Sequence, residues 1–403
     1  MRSNKSLFAV IALAVLCTQC CSYYKNKNKS RTLALLLSAP PQSLDQAIDI
    51  ARTVTKTKSI SAMIIRGDGT AEGAVSNAAD GTNPVTIDTR FSIGSCTKMF
   101  IAGSVFKLIE ANKFSLDDTL QKLLYETGML GDSHKSRINP SIRVKDLLYH
   151  RTGIRDYLAD ATYYTAVYAS PNSAWDHIKT LSYVGSPDYT YDNANRGNNA
   201  FKYSNTNYIL LGMVIEQATG IKVQESISEY FLSPLGLGST YMAGVDPYPG
   251  LKSIPGNMAI GYEKDIFGNW VKSSAYITED ATAMYSSTWT CGNMVSTAGD
   301  MARWVKQYYQ LQRSKGYLAA DFFKAGAVSS DYFTERTFGC GIEYVRHRSG
   351  AELWGHTGTI MGFNSLVFHI PAKDLSVAVL INDHYPERWT ILHIILEYVN
   401  AMP

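Results

Sequence analysis

The sequence predicts an α/β protein in which strands from both ends of the chain build one sheet and a mainly helical region is inserted between them. Near the start, residues 60–65 read as a strand, with residues 71–76 as its neighbour across a glycine-containing turn. Towards the other end, strand-like runs return at residues 338–345, 352–354, 364–370 and 376–381. The intervening chain contains amphipathic helical segments and long loops rich in Tyr, Asn, Ser and Gly.

Two helices are expected to flank the sheet. Residues 43–57, with acidic residues in their first part, place five apolar side chains at helical spacing: Leu44, Ala47, Ile48, Ala51 and Val54. An apolar helix at residues 389–399 closes the chain. We therefore assign residues 42–94 and 336–403 to an α/β sheet domain and residues 95–335 to a mainly helical domain. A chain of 403 residues, 45% of them hydrophobic, can bury a core of this size.

The N-terminus has the pattern of an export signal. Arg2 and Lys5 precede an apolar run at residues 7–16, which is too short to span a bilayer but suits the hydrophobic part of a signal peptide. We therefore expect residues 1–21 to be a signal peptide and residues 22–41 to be a tether. This predicts a periplasmic or extracellular protein, with membrane anchoring left open.

Charge argues against a nucleic-acid partner. Six positive charges and no acidic residue lie before residue 32, whereas the whole chain has a net charge of only +3, so the remainder is net negative. A mildly acidic body offers no nucleic-acid surface. The basic residues 25–31 suit a solvated tether that could also touch anionic lipid head groups.

The cysteines fall into two groups. Three lie around the expected cleavage point and leave lipidation open: Cys17, Cys20 and Cys21. The body of the chain contains Cys96, Cys291 and Cys340, and this odd number argues against a dense disulfide framework. A bridge between Cys291 and Cys340 stays open.

The segment Ser95-Cys96-Thr97-Lys98 carries the first chemical signal. It follows an extended run and Gly94, which lets the chain turn into a helix. Residues three apart share one helix face about 5–6 Å apart, so the Lys98 amine can reach the Ser95 hydroxyl and take its proton. The same pattern recurs at Ser104 and Lys107, but Ser104 lies within an apolar stretch and is expected to pack inside its helix. Ser95 is therefore the predicted nucleophile.

Two further motifs carry polar groups suited to the same chemistry. In Tyr203-Ser204-Asn205, a tyrosine beside a lysine can act as general base or acid, and an asparagine amide can hold both the lysine and a substrate carbonyl. Tyr-x-Asn also occurs at Tyr191 and Tyr398, so the spacing alone does not choose among the three.

In His356-Thr357-Gly358, an extended segment could present amides and a hydroxyl along one edge of a cleft. Gly358 would allow the substrate backbone to approach closely.

The three motifs, in this order and context, resemble those of the penicillin-recognising serine hydrolases. Within that group the chain is most similar to the class C β-lactamases and serine D-alanyl-D-alanine carboxypeptidases. The resemblance spans roughly residues 45–400 and includes residues 147–154 and 291–301.

This resemblance implies a β-lactamase/transpeptidase-like fold, with an antiparallel sheet flanked by helices, an all-helical domain and a cleft between them. Ser95 would form an acyl-enzyme, Lys98 and Tyr203 would move protons, and Asn205 would bind substrate and order the lysine. The oxyanion would lie between the backbone amides of Ser95 and Thr359. Neither a metal nor an organic cofactor is implied.

The chain departs from the β-lactamase pattern at two places. Class C β-lactamases carry lysine at the position of His356. Some carboxypeptidases, D-amino-acid peptidases and esterases of the group carry histidine there, as this chain does. We expect His356 to line the cleft and, when protonated, to favour a substrate carboxylate or the tyrosine phenolate. Arg388, in a loop that only loosely resembles the carboxylate-binding segment, is a further candidate, and Thr357, Gly358 and Thr359 are expected to contact substrate.

The sequence therefore predicts an exported serine hydrolase, most simply a D-alanyl-D-alanine carboxypeptidase-like peptidase. Its substrate would be a small peptide or ester, with cell-wall peptide as a candidate. An esterase and a class C-like β-lactamase are alternatives on the same site. A non-catalytic protein that binds cell-wall fragments is an alternative of a different class.

Overall fold

The computed structural model describes residues 38–78, 83–196, 199–265, 267, 269–273, 280–317, 324–325, 331–384 and 387–402. The expected signal peptide lies outside these residues, as does most of the expected tether. Within the described chain, no helix is both long and apolar enough to cross a membrane.

An eight-stranded antiparallel sheet has the spatial order β2-β1-β13-β12-β11-β10-β9-β8, so the two ends of the chain meet where β1 pairs with β13. Two small sheets, β3-β7-β4 and β5-β6, accompany it. In chain order the strands are β1 (Ser59–Arg66), β2 (Ala71–Asn77), β3 (Phe91–Ser92), β4 (Tyr241–Met242), β5 (Tyr262–Lys264), β6 (Trp270–Lys272), β7 (Met294–Ser296), β8 (Lys324–Ala325), β9 (Phe333–Gly339), β10 (Ile342–His347), β11 (Glu352–Ile360), β12 (Phe363–Ile370) and β13 (Leu375–Ile381). The predicted mixed α/β class with an antiparallel sheet and helices is confirmed.

Helices cover both faces of this sheet. The α-helices of the described chain are α1 (Leu44–Thr55), α2 (Thr97–Glu110), α3 (Val144–Leu148), α4 (Tyr163–Ala169), α5 (His177–Leu181), α6 (Thr206–Thr219), α7 (Val223–Ile227), α8 (Thr282–Gly292), α9 (Ala298–Ser314) and α10 (Arg388–Ala401). The apolar stripes of α1 and α10 pack on one face of the sheet. On the other face lies α9, which contacts β1, β12 and β13, and a larger core continues from there through α2, α6 and α8.

Local sequence explains where α1 begins. The Ser43 hydroxyl accepts a hydrogen bond from the Gln46 amide at 3.2 Å, which satisfies one of the free N–H groups of the first turn. The five apolar side chains that predicted this helix are all buried, as amphipathic spacing requires.

The predicted strand at residues 338–345 is wrong in detail, because two strands meet there in a hairpin. Cys340 and Gly341 both have positive φ, 54° and 67°. This backbone conformation occurs in two-residue hairpin turns, whose twist matches that of the flanking strands. Strand pairing also begins ahead of residue 336, at Lys324 in β8 and Phe333 in β9. The predicted run at residues 352–354 continues through Ile360 as β11, so His356 lies inside a strand.

The sheet touches the start of α2 through the turn that precedes Ser95. Gly94 has a φ of 50°, and a Cβ at this position would lie 2.7 Å from the Thr359 amide nitrogen, so only glycine fits. The Ser365 hydroxyl donates to the Ile93 carbonyl at 2.9 Å, and the Cys96 thiol donates to the His356 carbonyl at 3.2 Å. This packing holds the predicted nucleophile against the end of β11.

The three cysteines of the described chain are free and buried. The open question of a bridge between Cys291 and Cys340 is therefore answered: the two thiols do not pair. Burial raises the pKa of Cys340 to about 12 and that of Cys291 to about 11, so both are neutral thiols.

Candidate active site

Ser95 lies in a single 3₁₀ turn, Gly94–Cys96, that leads directly into α2. Its Oγ is 3.1 Å from the Lys98 amine and 3.1 Å from the Tyr203 hydroxyl. Ser95 is partly exposed, whereas the Lys98 side chain is fully buried. The structure therefore brings together an accessible hydroxyl and two groups that can move its proton.

Lys98 has a complete set of hydrogen-bond partners. Besides Ser95, its Nζ donates to Asn205 Oδ1 at 2.8 Å and to the Cys291 carbonyl at 2.7 Å. A protonated amine has three N–H donors, whereas a neutral one has two and a lone pair. When Asn205 and Cys291 take two N–H groups of a neutral Lys98, the lone pair faces Ser95 Oγ. This arrangement can accept the serine proton.

Asp156, which sequence reasoning missed, orients the asparagine of this site. One of its carboxylate oxygens accepts hydrogen bonds from the Asn205 backbone amide at 3.1 Å and from Asn205 Nδ2 at 2.8 Å. The amide side chain must then turn its oxygen towards Lys98. Burial raises the pKa of Asp156, while these two donors oppose the change. No local pattern in the sequence marked Asp156, because its contact depends on the approach of distant segments.

The structure brings Tyr203 to Ser95 and leaves the two alternative tyrosines elsewhere. Tyr191 donates to Asp146, and Tyr398 donates to Glu72. Burial raises the pKa of Tyr203, although the nearby Lys98 amine pulls in the other direction. Tyr203 is therefore a phenol that donates to Ser95 rather than a resident phenolate base.

His150 supports Tyr203 from behind. The two rings are stacked with centroids 4.3 Å apart, and His150 Nδ1 accepts from the Ser204 amide at 3.2 Å. Burial holds the pKa of His150 well below its usual value, and Lys98 adds to the effect. A neutral imidazole thus fixes the Tyr203-Ser204-Asn205 segment. His150 lies in residues 147–154, which the sequence marked as a family segment without assigning it a role.

The end of β11 has one open edge. Among the described residues, β10 pairs with β11 only at Glu352–Gly355, and the rest of β11 pairs on one side alone, with β12. The Thr357 amide points towards β10, where it donates to Glu343 at 3.1 Å. Successive strand residues alternate, so the Thr359 amide points the same way, towards the open edge. That edge can supply an N–H donor next to Ser95.

Two of the residues expected to contact substrate have other partners. The Thr357 hydroxyl donates to the buried Glu343 carboxylate at 2.6 Å, and Arg336 donates to the same carboxylate at 2.5 Å. At Gly358, a Cβ would lie 1.9 Å from the Ile93 carbonyl. Glycine is therefore needed at this position for packing against the turn before Ser95, and the approach of substrate to Gly358 stays a prediction.

His356 is buried behind Tyr203, with ring centroids 6.5 Å apart. Its Nδ1 donates to the Thr357 carbonyl at 2.5 Å, and burial lowers its pKa to about 4 although Glu343 favours the charged form. A buried imidazole with this pKa is neutral at working pH, which argues against the expected role of His356 as a positive charge for a substrate carboxylate.

We expect the kcat/KM of a free-acid substrate to show no step from His356 between about pH 5.5 and 8. A pKa lowered to about 4 means that the ring loses its proton well below this window and stays neutral through it. The measurement compares pH profiles of one peptide as free acid and as methyl ester. A step near pH 6.5 in the acid profile alone would contradict the assignment.

Arg388 lies at the same end of β11 as Ser95. Its guanidinium donates to the Thr359 hydroxyl at 3.2 Å, and that hydroxyl donates to Asn364 Oδ1 at 2.8 Å. Guanidinium stays protonated at working pH and matches the geometry of a carboxylate. The structure thus places a permanent positive charge beside Thr359, where His356 does not supply one.

A cavity of about 350 Å³ opens at the candidate site and is lined by Ser95, Asn205 and Thr359. Its walls are largely apolar and aromatic, with Leu158, Tyr164, Tyr168, Met284, Ile360 and Met361 among them. The carboxylate of Glu263 also faces this space, and burial raises its pKa. The cavity can therefore take a small acyl group with an apolar side chain.

Residues 44–396 match the family model described as Beta-lactamase. The chain belongs to this family. Its curated relatives include an unguisins hydrolase of Aspergillus campestris, 25% identical over 79% of this chain and 58% of that protein. The chain thus spans little more than half the length of that relative.

Similar folds occur among solved structures of hydrolases. A D-amino acid amidase from Ochrobactrum anthropi, complexed with D-phenylalanine, has a TM-score of 0.67 and 20% identity over 93% of this chain and all of that chain. A D-stereospecific amidohydrolase from Streptomyces has a TM-score of 0.65 and 22% identity, covering 90% of this chain and 98% of that one. At these identities the two structures show that the fold is shared.

Proposed function

We propose that this protein is a serine peptidase that forms an acyl-enzyme on Ser95 and releases the last residue of a peptide ending in a D-amino acid. The observation that carries the proposal is the position of Ser95 Oγ, 3.1 Å from both the Lys98 amine and the Tyr203 hydroxyl. A protein that only binds cell-wall fragments has no need of a buried lysine aimed at a serine.

In the proposed reaction, Ser95 Oγ attacks the scissile carbonyl while Lys98 takes its proton. The amides of Ser95 and Thr359 stabilise the oxyanion, since N–H donors fixed before reaction cost no reorganisation. Tyr203 gives its proton to the leaving nitrogen and regains one from the Lys98 ammonium. Water then attacks the acyl-enzyme, with Lys98 again as base, and Ser95 recovers its proton.

Two observations support a D-configured substrate with a terminal carboxylate. Two similar structures are named for activity on D-amino acids or for D-stereospecificity. Arg388, next to Thr359, offers the charge that a carboxylate on the leaving residue would require. We also propose that, within its family, the protein is most similar to the class C enzymes. The neutral His356 argues against efficient hydrolysis of β-lactams, because class C β-lactamases carry a lysine at this position.

Location is a separate part of the proposal. The basic and apolar pattern at the N-terminus supports export to the periplasm or the extracellular space, with peripheral attachment to a membrane through the N-terminal region. Such a location would give access to cell-wall peptide as substrate, without a nucleic-acid partner.

Replacing Arg388 with glutamine is expected to raise KM for a free-acid peptide about 10-fold to 100-fold, the loss of one charge-assisted hydrogen bond. The methyl ester of the same peptide should be almost unaffected, because it lacks the carboxylate. Arg313→Gln, an exposed change at the end of α9, is the matched control. Equal effects on acid and ester would remove Arg388 as the carboxylate partner.

The proposal as a whole is tested by offering the protein four substrates side by side. They are a peptide ending in D-Ala-D-Ala, its L-Ala-L-Ala counterpart, a p-nitrophenyl ester and nitrocefin. We expect the D-peptide to be cleaved with a kcat/KM at least about tenfold above its L-counterpart. Turnover of the ester without release of D-alanine would favour an esterase, and rapid nitrocefin turnover would favour a β-lactamase.

A further inference from the structure

Three potential metal ligands meet where the C-terminal helix crosses the end of β10. His347 is the last residue of β10, and His393 and Glu397 lie on α10. One ligand atom from each residue lies within 4.8 Å of the other two. None of the three lines the cavity at Ser95, so this cluster is separate from the candidate active site.

We propose that His347, His393 and Glu397 bind one zinc-like transition-metal ion that links α10 to the sheet. Two imidazole nitrogens and one carboxylate oxygen are ligands that Zn²⁺ uses in proteins. The proposal adds a metal to a chain whose family resemblance implied none, and it does not depend on the proposed peptidase activity.

The distances suit a single ion. His347 Nε2 is 3.1 Å from His393 Nδ1, and His393 Nδ1 is 3.7 Å from Glu397 Oε1. A tetrahedral ion with bonds of about 2.0–2.2 Å holds its ligand atoms roughly 3.3–3.6 Å apart. These two separations lie close to this range on either side. The third, between His347 and Glu397, is within 4.8 Å, so the partly exposed Glu397 side chain has to move towards His347 to close the site.

The backbone presents these ligands on adjoining surfaces. His393 and Glu397 are four residues apart on α10, which places them on one helix face. The strand position of His347 is set by pairing with Phe333, whose side chain packs in the same core as α10. A strand and a helix that already pack together therefore supply all three ligands.

Neighbouring side chains orient both imidazoles. His347 Nδ1 accepts from the Ser349 amide at 3.2 Å and is 2.8 Å from the Ser349 hydroxyl. Binding an ion at Nε2 therefore requires the ring proton to move to Nδ1, where the hydroxyl can accept a hydrogen bond from it. The Tyr332 ring stacks on His393 with centroids 4.1 Å apart. Such outer contacts fix ring orientation around metal ions.

An alternative is a direct hydrogen bond between the two imidazoles, with one proton shared between the facing nitrogens. That bond accounts for the 3.1 Å separation but gives the Glu397 carboxylate no part. An ion uses all three groups and lets the carboxylate offset its charge. His347 is buried while the Glu397 side chain is 35% exposed, so an ion has a path from solvent and a fourth position open to water.

The test is a metal titration of the untagged full-length protein after treatment with a chelator. We expect one Zn²⁺ per chain and a melting temperature that rises by a few degrees at about 100-fold excess over Kd. Co²⁺, used as a spectroscopic probe, should give the visible absorption of a four- or five-coordinate site. Peptidase activity is not a readout, so failure here leaves the proposed function unaffected.

Variants locate the site. His393→Gln and Glu397→Gln should each weaken Zn²⁺ binding by at least about 10-fold, whereas His177→Gln, a histidine change on α5, should leave it unchanged. Circular dichroism of the metal-free variants checks folding, and either cluster variant suffices if the other fails to fold. Stoichiometric binding that survives both cluster changes, or no binding by the wild type, would overturn the proposal.

Discussion

Replacing Lys98 with methionine is expected to slow acylation of Ser95 by about 10²–10⁴-fold, the usual contribution of a positioned proton-transfer group. Methionine has a similar length and keeps the buried volume filled, but it has no basic nitrogen to take the Ser95 proton and no N–H to donate to Asn205 or the Cys291 carbonyl. The measurement is the single-turnover acylation rate with an activated ester and with a peptide substrate.

Lys107→Met is the matched control for this change. Lys107 lies on the same helix and ends the second Ser-x-x-Lys pattern, whose serine donates to the Phe100 carbonyl at 3.0 Å inside the core. The control should acylate at the wild-type rate. A wild-type rate in Lys98→Met, with the protein folded, would show that another group takes the serine proton.

The local part of the site was predictable and the long-range part was not. Ser95 and Lys98 are three residues apart at a helix start, so helix geometry alone brings them together. Nothing local distinguishes Tyr203 from Tyr191, and only the fold carries Tyr203 to Ser95 and Tyr191 to Asp146. Asp156 could not be found at all, because its role depends on which way the Asn205 amide turns.

The charge of His356 shows a second limit. Its identity suggested a cation that titrates near neutrality, whereas its burial beside Tyr203 lowers the pKa to about 4. Burial of one side chain depends on the whole packing arrangement and is not visible in a three-residue motif.

Strands were predicted best where apolar runs are uninterrupted. Residues 364–370 and 376–381 match β12 and β13 within one residue. The predicted strand at residues 352–354 is shorter than β11, since it ends before Gly355 and Gly358, and glycine ordinarily weakens a strand. In the folded chain a Cβ at Gly355 would lie 1.8 Å from the Val367 carbonyl, so close packing of β11 against β12 requires glycine at this position.

Replacing Ser95 with alanine is expected to reduce kcat by a factor on the order of 10⁶, the scale seen when a serine nucleophile is removed. Alanine retains the turn into α2 but has no oxygen to attack a carbonyl. Ser104→Ala is the control, because that buried hydroxyl only donates within its own helix. Its loss should cost about 1 kcal/mol of stability at most and leave the rate unchanged.

The central claim is that Ser95 forms the covalent intermediate. The most direct measurement is mass spectrometry of protein labelled with a fluorophosphonate, followed by digestion and mapping of the modified residue. We predict one adduct per chain, on Ser95, in both the wild type and Ser104→Ala, and none in Ser95→Ala. Labelling of Ser95→Ala with the same stoichiometry, or an adduct mapped to another residue in the wild type, would contradict the account.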